Sequence, residues 1–142
     1  MRARVIHVRD APPGTTCGYG ATYTATRHET WATLSLGYGD GLPRALSNKG
    51  SAIVNGQRVP IIGRVSMDVT VVDVTDVVGP VSGGDVATLI GTDGGATISV
   101  DEVAGLVGTI SYEILTGITA RVPRVWSEEL PPFGGASSAS KL

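Results

Sequence analysis

The chain has 142 residues, enough for one domain with a single substantial hydrophobic core. A net charge of -2 and scattered basic residues leave no electrostatic footprint for nucleic acid. One cysteine permits no internal disulfide, and neither a signal peptide nor an apolar run of membrane-spanning length is present, so the expectation is a soluble, cytoplasmic protein with no membrane partner.

Glycine supplies 20 of the 142 residues, about twice its usual share of roughly 7%. The apolar residues are mostly Val, Ile, Leu and Ala, with a single Phe. Many turns between β-branched strands fit this better than long helices do. The expected class is mainly β: a barrel-like antiparallel or mixed β-domain with one or two short helices.

In chain order, Arg2 to Arg9 reads as a strand whose apolar parity changes at Val5-Ile6, which predicts either cover on both faces or a bulge. His7, inside it, is given no catalytic role. Ala11-Pro12-Pro13-Gly14 ends the strand, since proline supplies no ladder donor. Cys17 follows in a loop; no histidine is placed nearby in sequence to activate its thiol, and it reads as a small filler. Trp31 to Leu36 alternates Ala32, Leu34 and Leu36 with Thr33 and Ser35, a half-buried strand that delivers Tyr38 to the end of the sheet. Gly39-Asp40-Gly41 then turns the chain, and Pro43-Arg44 falls in a loop or one helical turn.

Ser51 to Val54 and Gln57 to Ile62 are joined by Asn55-Gly56, the pair best suited to the two positive φ angles of a type I′ turn, and this predicts a hairpin. Its second strand leads into Gly63-Arg64 and leaves Met67-Asp68 just beyond, before Val69 to Val74 continues the sheet. Val86 to Ile90 is a further short strand between the turns at Ser82-Gly83-Gly84-Asp85 and Asp93-Gly94-Gly95. Ser99-Val100-Asp101-Glu102 has the capping-box pattern, which predicts a short helix starting at Val100 and ended by Gly108. Thr109 is expected to cap a second short helix through Ile114, with Tyr112 in its first turn. Ile118, Ala120 and Val122 alternate with Thr119 and Arg121 and predict a last strand, ended by Pro123 or carried a little past it to Trp126. Closure into a barrel would manage the edges of seven or eight such strands. Residues 1–130 are expected to form the domain and residues 131–142, with the Gly/Ala/Ser-rich segment from Gly134 to Ser140, a disordered tail.

Two histidines and one cysteine without ligand spacing give no metal site, and no phosphate-loop pattern is present. Asp40 and Asp68 could act as paired carboxylates, but at turns they are more simply explained by side-chain bonds to the backbone. What remains is a set of tyrosines and arginines at loops. Glycine on both sides of a tyrosine lets a ligand or second chain approach the phenol closely. With an unperturbed pKa of about 10, such a phenol acts in proton transfer only beside a group that holds or takes the proton, and nothing in the chain obviously supplies one for Tyr19.

Tyr19-Gly20-Ala21-Thr22-Tyr23, Gly37-Tyr38-Gly39-Asp40-Gly41, Gly63-Arg64-Val65-Ser66-Met67-Asp68 and Thr109-Ile110-Ser111-Tyr112-Glu113, in this order and spacing, resemble the C-terminal domain of alanine racemase from about Ala3 to Trp126. The resemblance implies that Tyr19 takes the α-proton of L-alanine, opposite the lysine of a TIM barrel that carries pyridoxal 5'-phosphate (PLP) as electron sink. It implies that Met67 binds substrate, that Asp68 supports that turn, and that Tyr112 gives its hydroxyl to the PLP phosphate. Tyr38, Arg44, Arg64 and Ile110 would line the access corridor, where arginines suit a carboxylate-bearing substrate; Tyr38 as a packing residue and Arg44 as a solvated surface residue are the alternative readings.

The resemblance further implies a head-to-tail homodimer, with Tyr19 and Met67 facing a partner chain and Tyr112 serving its own barrel. That barrel has no counterpart in these residues, so the chain is expected to be part of a longer racemase that supplies D-alanine for the cell wall, and to be inactive alone. Two alternatives stand beside it. One is another fold-type III PLP enzyme, a broad amino-acid racemase or a decarboxylase, although Tyr-Gly-Ala-Thr-Tyr argues against a decarboxylase. The other is a free-standing β-barrel interaction module, which predicts a closed, apolar face around Tyr19 where the racemase reading predicts an open, tyrosine-bearing one.

Overall fold

A computed structural model describes residues 1–126, so the boundary at 130 and the tail at 131–142 lie outside the described residues. The glycine-punctuated apolar runs form ten short strands there: β1 (Arg2–Ala11), β2 (Thr16–Cys17), β3 (Tyr23–Thr24), β4 (Glu29–Leu34), β5 (Ser51–Val54), β6 (Gln57–Ile62), β7 (Thr70–Asp73), β8 (Val86–Thr88), β9 (Gly91–Asp93) and β10 (Ala96–Ile98). Six of them close into a barrel in the order β1-β4-β7-β6-β5-β8, every neighbouring pair antiparallel. Two short helices follow, α1 (Val100–Val107) and α2 (Ser111–Thr116). No helix among the described residues is long and apolar enough to cross a membrane.

The parity change in β1 is a bulge: Val5 pairs with Leu34 and His7 with Thr33, so the register slips between them. Ile6 and His7 consequently both face solvent. The Asn55-Gly56 hairpin also forms as expected, with φ of 50° and 72° at the two turn residues and Val54 paired with Gln57. The barrel is filled by Val5, Leu34, Ile53, Val54, Ile61, Val72 and Leu89, each at most 2% exposed. Helix α1 starts where the capping box placed it, with the Glu102 N-H donating to Ser99 Oγ at 3.0 Å, and ends at Gly108 in the left-handed region. Its Glu102 also pairs with Arg58 of β6 at 2.6 Å, which holds the helix against the barrel while Val103 and Ala104 enter the core.

Five expectations are corrected. The strand read from Trp31 to Leu36 runs from Glu29 to Leu34, and it is buried on both faces at its start because the β2–β3 hairpin covers Trp31. Cys17 thus lies in a two-residue strand rather than a loop, although it is a buried filler whose thiol is pushed up by burial. Val86 to Ile90 divides: β8 stops at Thr88, and β9 pairs with the unforeseen β10 across the Asp93-Gly94-Gly95 turn. Helix α2 is preceded by Ile110, not by a capping Thr109, and reaches Thr116.

The last correction concerns Ile118 to Val122, which forms turns and no strand. The β1–β8 pairing has already closed the sheet, so no edge remains to receive another strand. The segment's carbonyls are satisfied by a side chain instead: the Arg124 guanidinium donates to the oxygens of Ile118, Thr119 and Val122 at 2.8, 2.6 and 2.9 Å.

A candidate active-site face

Strands β4 and β6 both run antiparallel to β7, so the loops that follow them leave the barrel at the same end. The turn from Gly63 to Val69 lies between two tyrosine loops, hydrogen-bonded to one and in backbone contact with the other. On one side, Tyr38 N-H donates to Ser66 O at 2.9 Å and Gly39 N-H to Met67 O at 2.8 Å. Gly37 is required here by proximity, since a Cβ at this position would run into the carbonyl groups of Ser66 and Met67.

On the other side, β2 and β3 present the loop Gly18–Thr22. Gly18 adopts φ 78°, and a Cβ there would lie 2.8 Å from the Arg64 nitrogen, so loop and turn touch backbone to backbone. Tyr19 stands at the tip, 82% exposed. Among the described residues its hydroxyl has no hydrogen-bond partner, in contrast to Tyr23, whose hydroxyl donates to the Glu29 carboxyl group at 3.1 Å. Burial and Glu29 push the Tyr23 phenol up to about 12. Arg64 lies beside Gly20, and Met67 is 51% exposed.

The two carboxylates at these turns have different partners. Asp40 Oδ2 accepts the Gly37 N-H at 2.9 Å, the expected side-chain bond to backbone. Asp68 instead pairs with the Arg121 guanidinium, Nη2 to Oδ1 at 2.6 Å, while Arg121 Nε lies 3.2 Å from Asp40 Oδ1. Arg121 therefore ties the Tyr38 loop to the Met67 turn, a role that its place in an alternating segment did not suggest. Thr119 adds bonds from its N-H to Asp40 O and from its hydroxyl to Gly39 O, at 3.1 and 2.9 Å. Arg121→Met is expected to speed amide exchange at Tyr38 and Gly39 with little change in global unfolding, because Arg121 and Asp68 are exposed and the buried Asp40 keeps its bond from the Gly37 N-H; exchange measured residue by residue checks this.

The remaining candidates lie around α2. Its Ile114 is buried in the core, which leaves Tyr112 74% and Ile110 64% exposed. Both line an open depression of about 400 Å³ with Asp101, Ala104 and Gly105 of α1. Arg44, in a single 3-10 turn (Arg44–Leu46), stands on the wall of a neighbouring cleft of about 530 Å³ that Glu113 and Gly117 also line. The face thus gathers Tyr19, Tyr38, Arg64, Met67 and Asp68 on adjoining loops, and carries Arg44, Ile110 and Tyr112 beside them.

The fold and this face together define a closed antiparallel β-barrel domain with exposed tyrosines and arginines at one end. Residues 1–126 match the family model described as alanine racemase, C-terminal domain, and the chain belongs to that family. It is 49% identical over 131 residues to the alanine racemase of Sorangium cellulosum, covering 90% of this chain and 35% of that protein. Among solved structures it is similar to alanine racemase from Bartonella henselae with covalently bound pyridoxal phosphate, with a TM-score of 0.81 and 39% identity over 87% of this chain and 33% of that one. Alanine racemase from Bacillus anthracis with bound L-Ala-P gives a TM-score of 0.81 and 41% identity, covering 87% and 31%. The chain spans about a third of the length of these relatives.

Proposed function

We propose that this chain is the C-terminal β-domain of a PLP-dependent alanine racemase and that Tyr19 is one of two bases that interconvert L- and D-alanine. The observation that carries the reading is Tyr19 itself: an exposed phenol with no bond among the described residues, on a loop in backbone contact with the Met67 turn. A phenol held this way acts as a base once a second body supplies a group to take its proton. In the complete enzyme, a head-to-tail homodimer in the cytoplasm, that body is the PLP-bearing barrel of the partner subunit. Such a site needs two proton-transfer groups on opposite faces of the α-carbon, and Tyr19 serves the L face.

The residues present fit the cofactor's phosphate end. Tyr112 offers an exposed hydroxyl that has no hydrogen-bond partner among the described residues. When bound, PLP supplies the electron sink that makes the α-proton of alanine removable. Met67 contacts the substrate, and Asp68, paired with Arg121, keeps the Met67 turn in place. Arg64 and Arg44, with Tyr38 and Ile110, line the approach and draw the substrate carboxylate inward. The product, D-alanine, feeds the cell wall.

Alanine racemisation in the presence of PLP, measured for this chain alone and mixed with a separately produced alanine racemase barrel, tests the proposal. Activity is expected only on mixing. Two folded pieces that associate without racemising alanine would favour the interaction module, and turnover of lysine or ornithine but not alanine would favour a decarboxylase.

A further inference from the structure

We propose that Asn48 is a positioning residue that locks the loop carrying Tyr19 onto the turn carrying Arg64 and Met67. Asn48 has φ 56°, in the left-handed region that few residues other than Gly, Asn and Asp adopt readily. That backbone sends its side chain to two elements at once. Oδ1 accepts the Gly63 N-H at 2.7 Å, and Nδ2 lies 3.2 Å from Thr22 Oγ1 as donor. The preceding residue works in parallel: Ser47 Oγ accepts the Val65 N-H at 2.8 Å and donates to Arg44 O at 2.6 Å.

The N-H groups of residues 63 and 65 are alternate donors on the chain leaving β6, and two consecutive side chains satisfy them where no strand pairs. Asn48 alone then continues to the tyrosine loop. Among the described residues, its bond to Thr22 is the one side-chain hydrogen bond that reaches Gly18–Thr22 from outside the β2–β3 hairpin. That loop has three consecutive or near-consecutive residues at positive φ, Gly18, Gly20 and Ala21, and a single internal backbone bond, Ala21 N-H to Gly18 O at 3.2 Å. The backbone contact with Arg64 holds the loop at its first residue, Gly18, and the Asn48 tether at its last, Thr22, decides where the tip between them rests. A base displaced by about 1 Å loses on the order of a hundredfold in rate. The catalytic part of this inference rests on the racemase reading above; the mechanical part stands without it.

The test uses the full chain first. Amide exchange is measured by NMR for the wild type, Thr22→Val, Asn48→Gly and Asn48→Asp. Thr22→Val, which removes only the partner hydroxyl, is expected to speed exchange at Ala21, the bonded amide of the loop, by about tenfold and to spare Gly63. Asn48→Gly, which tolerates the φ, is expected to speed both. Asn48→Asp keeps an acceptor for the Gly63 N-H and for the Thr22 O-H and should restore wild-type exchange. Unchanged exchange at Ala21 for Asn48→Gly, or equal acceleration across the whole domain, would overturn the tether.

In a full-length alanine racemase carrying this domain, Asn48→Gly is expected to lower kcat by about tenfold to a hundredfold with a smaller change in KM, and to raise the isotope effect on α-deuterated L-alanine. Asn48→Asp should rescue both. Loosened exchange with unchanged turnover would uphold the tether and count against Tyr19 as the base, so the two ideas fail separately.

Discussion

Tyr19→Phe, introduced into a full-length racemase or into the mixed domains, is expected to lower alanine racemisation by about 10²- to 10⁴-fold, the usual contribution of one proton-transfer group. The same change should leave the domain's own stability where it was. The phenol is 82% exposed, and its oxygen makes no bond within the described residues, so removing it orphans nothing. Turnover in both directions and a thermal melt of this chain form the check. A loss below about tenfold would remove proton transfer from Tyr19. A large loss accompanied by a lowered melting temperature would mean that the variant damages the loop instead. Tyr23→Phe is the informative control, because it removes a hydroxyl of the same kind that is bonded inside the domain.

That second hydroxyl belongs to the cluster expected to show the largest stability effect. Glu29 is only 4% exposed and accepts from Trp31 Nε1 at 2.6 Å as well as from Tyr23. Trp31 stands edge-on to Tyr23 at 5.9 Å and under the Arg9 guanidinium at 4.9 Å, with Cys17, Ala25 and Ile62 around it. Glu29→Ala would leave an indole N-H and a phenol without acceptors and open a cavity beside them. Each orphaned donor costs about 1–3 kcal/mol, so the expected destabilisation is about 2–5 kcal/mol, read from urea denaturation midpoints. Glu29→Gln, which keeps one acceptor, should cost less.

The cluster also sets a pH dependence. The folded protein holds the Tyr23 proton up to about 12, against about 10 in an unfolded chain. A group whose folded pKa is raised stabilises the protein below the unfolded value and loses that contribution as the pH climbs through the folded one. Stability should therefore fall between about pH 10 and about pH 12, more steeply in the wild type than in Tyr23→Phe.

Much of this fold was legible because its signals are local. Asn55-Gly56 demands positive φ angles, Ser99 and Glu102 form a cap within four residues, and the parity slip at Val5-Ile6 is visible as a bulge within one strand. The Ile118–Val122 alternation was misleading for the complementary reason: a period of two states that a strand is permitted, while the availability of an edge is decided by β1 and β8 far away. Trp31 was read on a strand with one covered face because nothing in 31–36 announces that residues 16–24 fold over it.

Tyr19, Tyr38, Arg64, Met67 and Tyr112 stood out through the motifs they belong to, and the roles proposed for them came with the family resemblance, not from spacing. Arg121 and Asn48 were invisible. Arg121 meets Asp68 across 53 positions, and Asn48 meets Thr22 across 26. Side-chain bonds across such distances leave no periodic trace, and an asparagine before a lysine and a glycine looks like any turn.

The way the barrel closes has a kinetic consequence. Strand β1 holds β4 along most of its length and also pairs Arg2 with Thr88, Ala3 with Ala87 and Arg4 with Val86. The first of these partnerships joins residues 18 (Ala11–Glu29) to 29 (Val5–Leu34) positions apart and the second residues more than 80 apart, so the ring is shut by its most distant contact. Folding should accordingly be slow for a domain of this size, limited by the loop entropy of bringing β8 to β1. During synthesis β1 and β4 emerge long before β8, and the half-built sheet waits with its first strand unsealed until residues near Thr88 leave the ribosome.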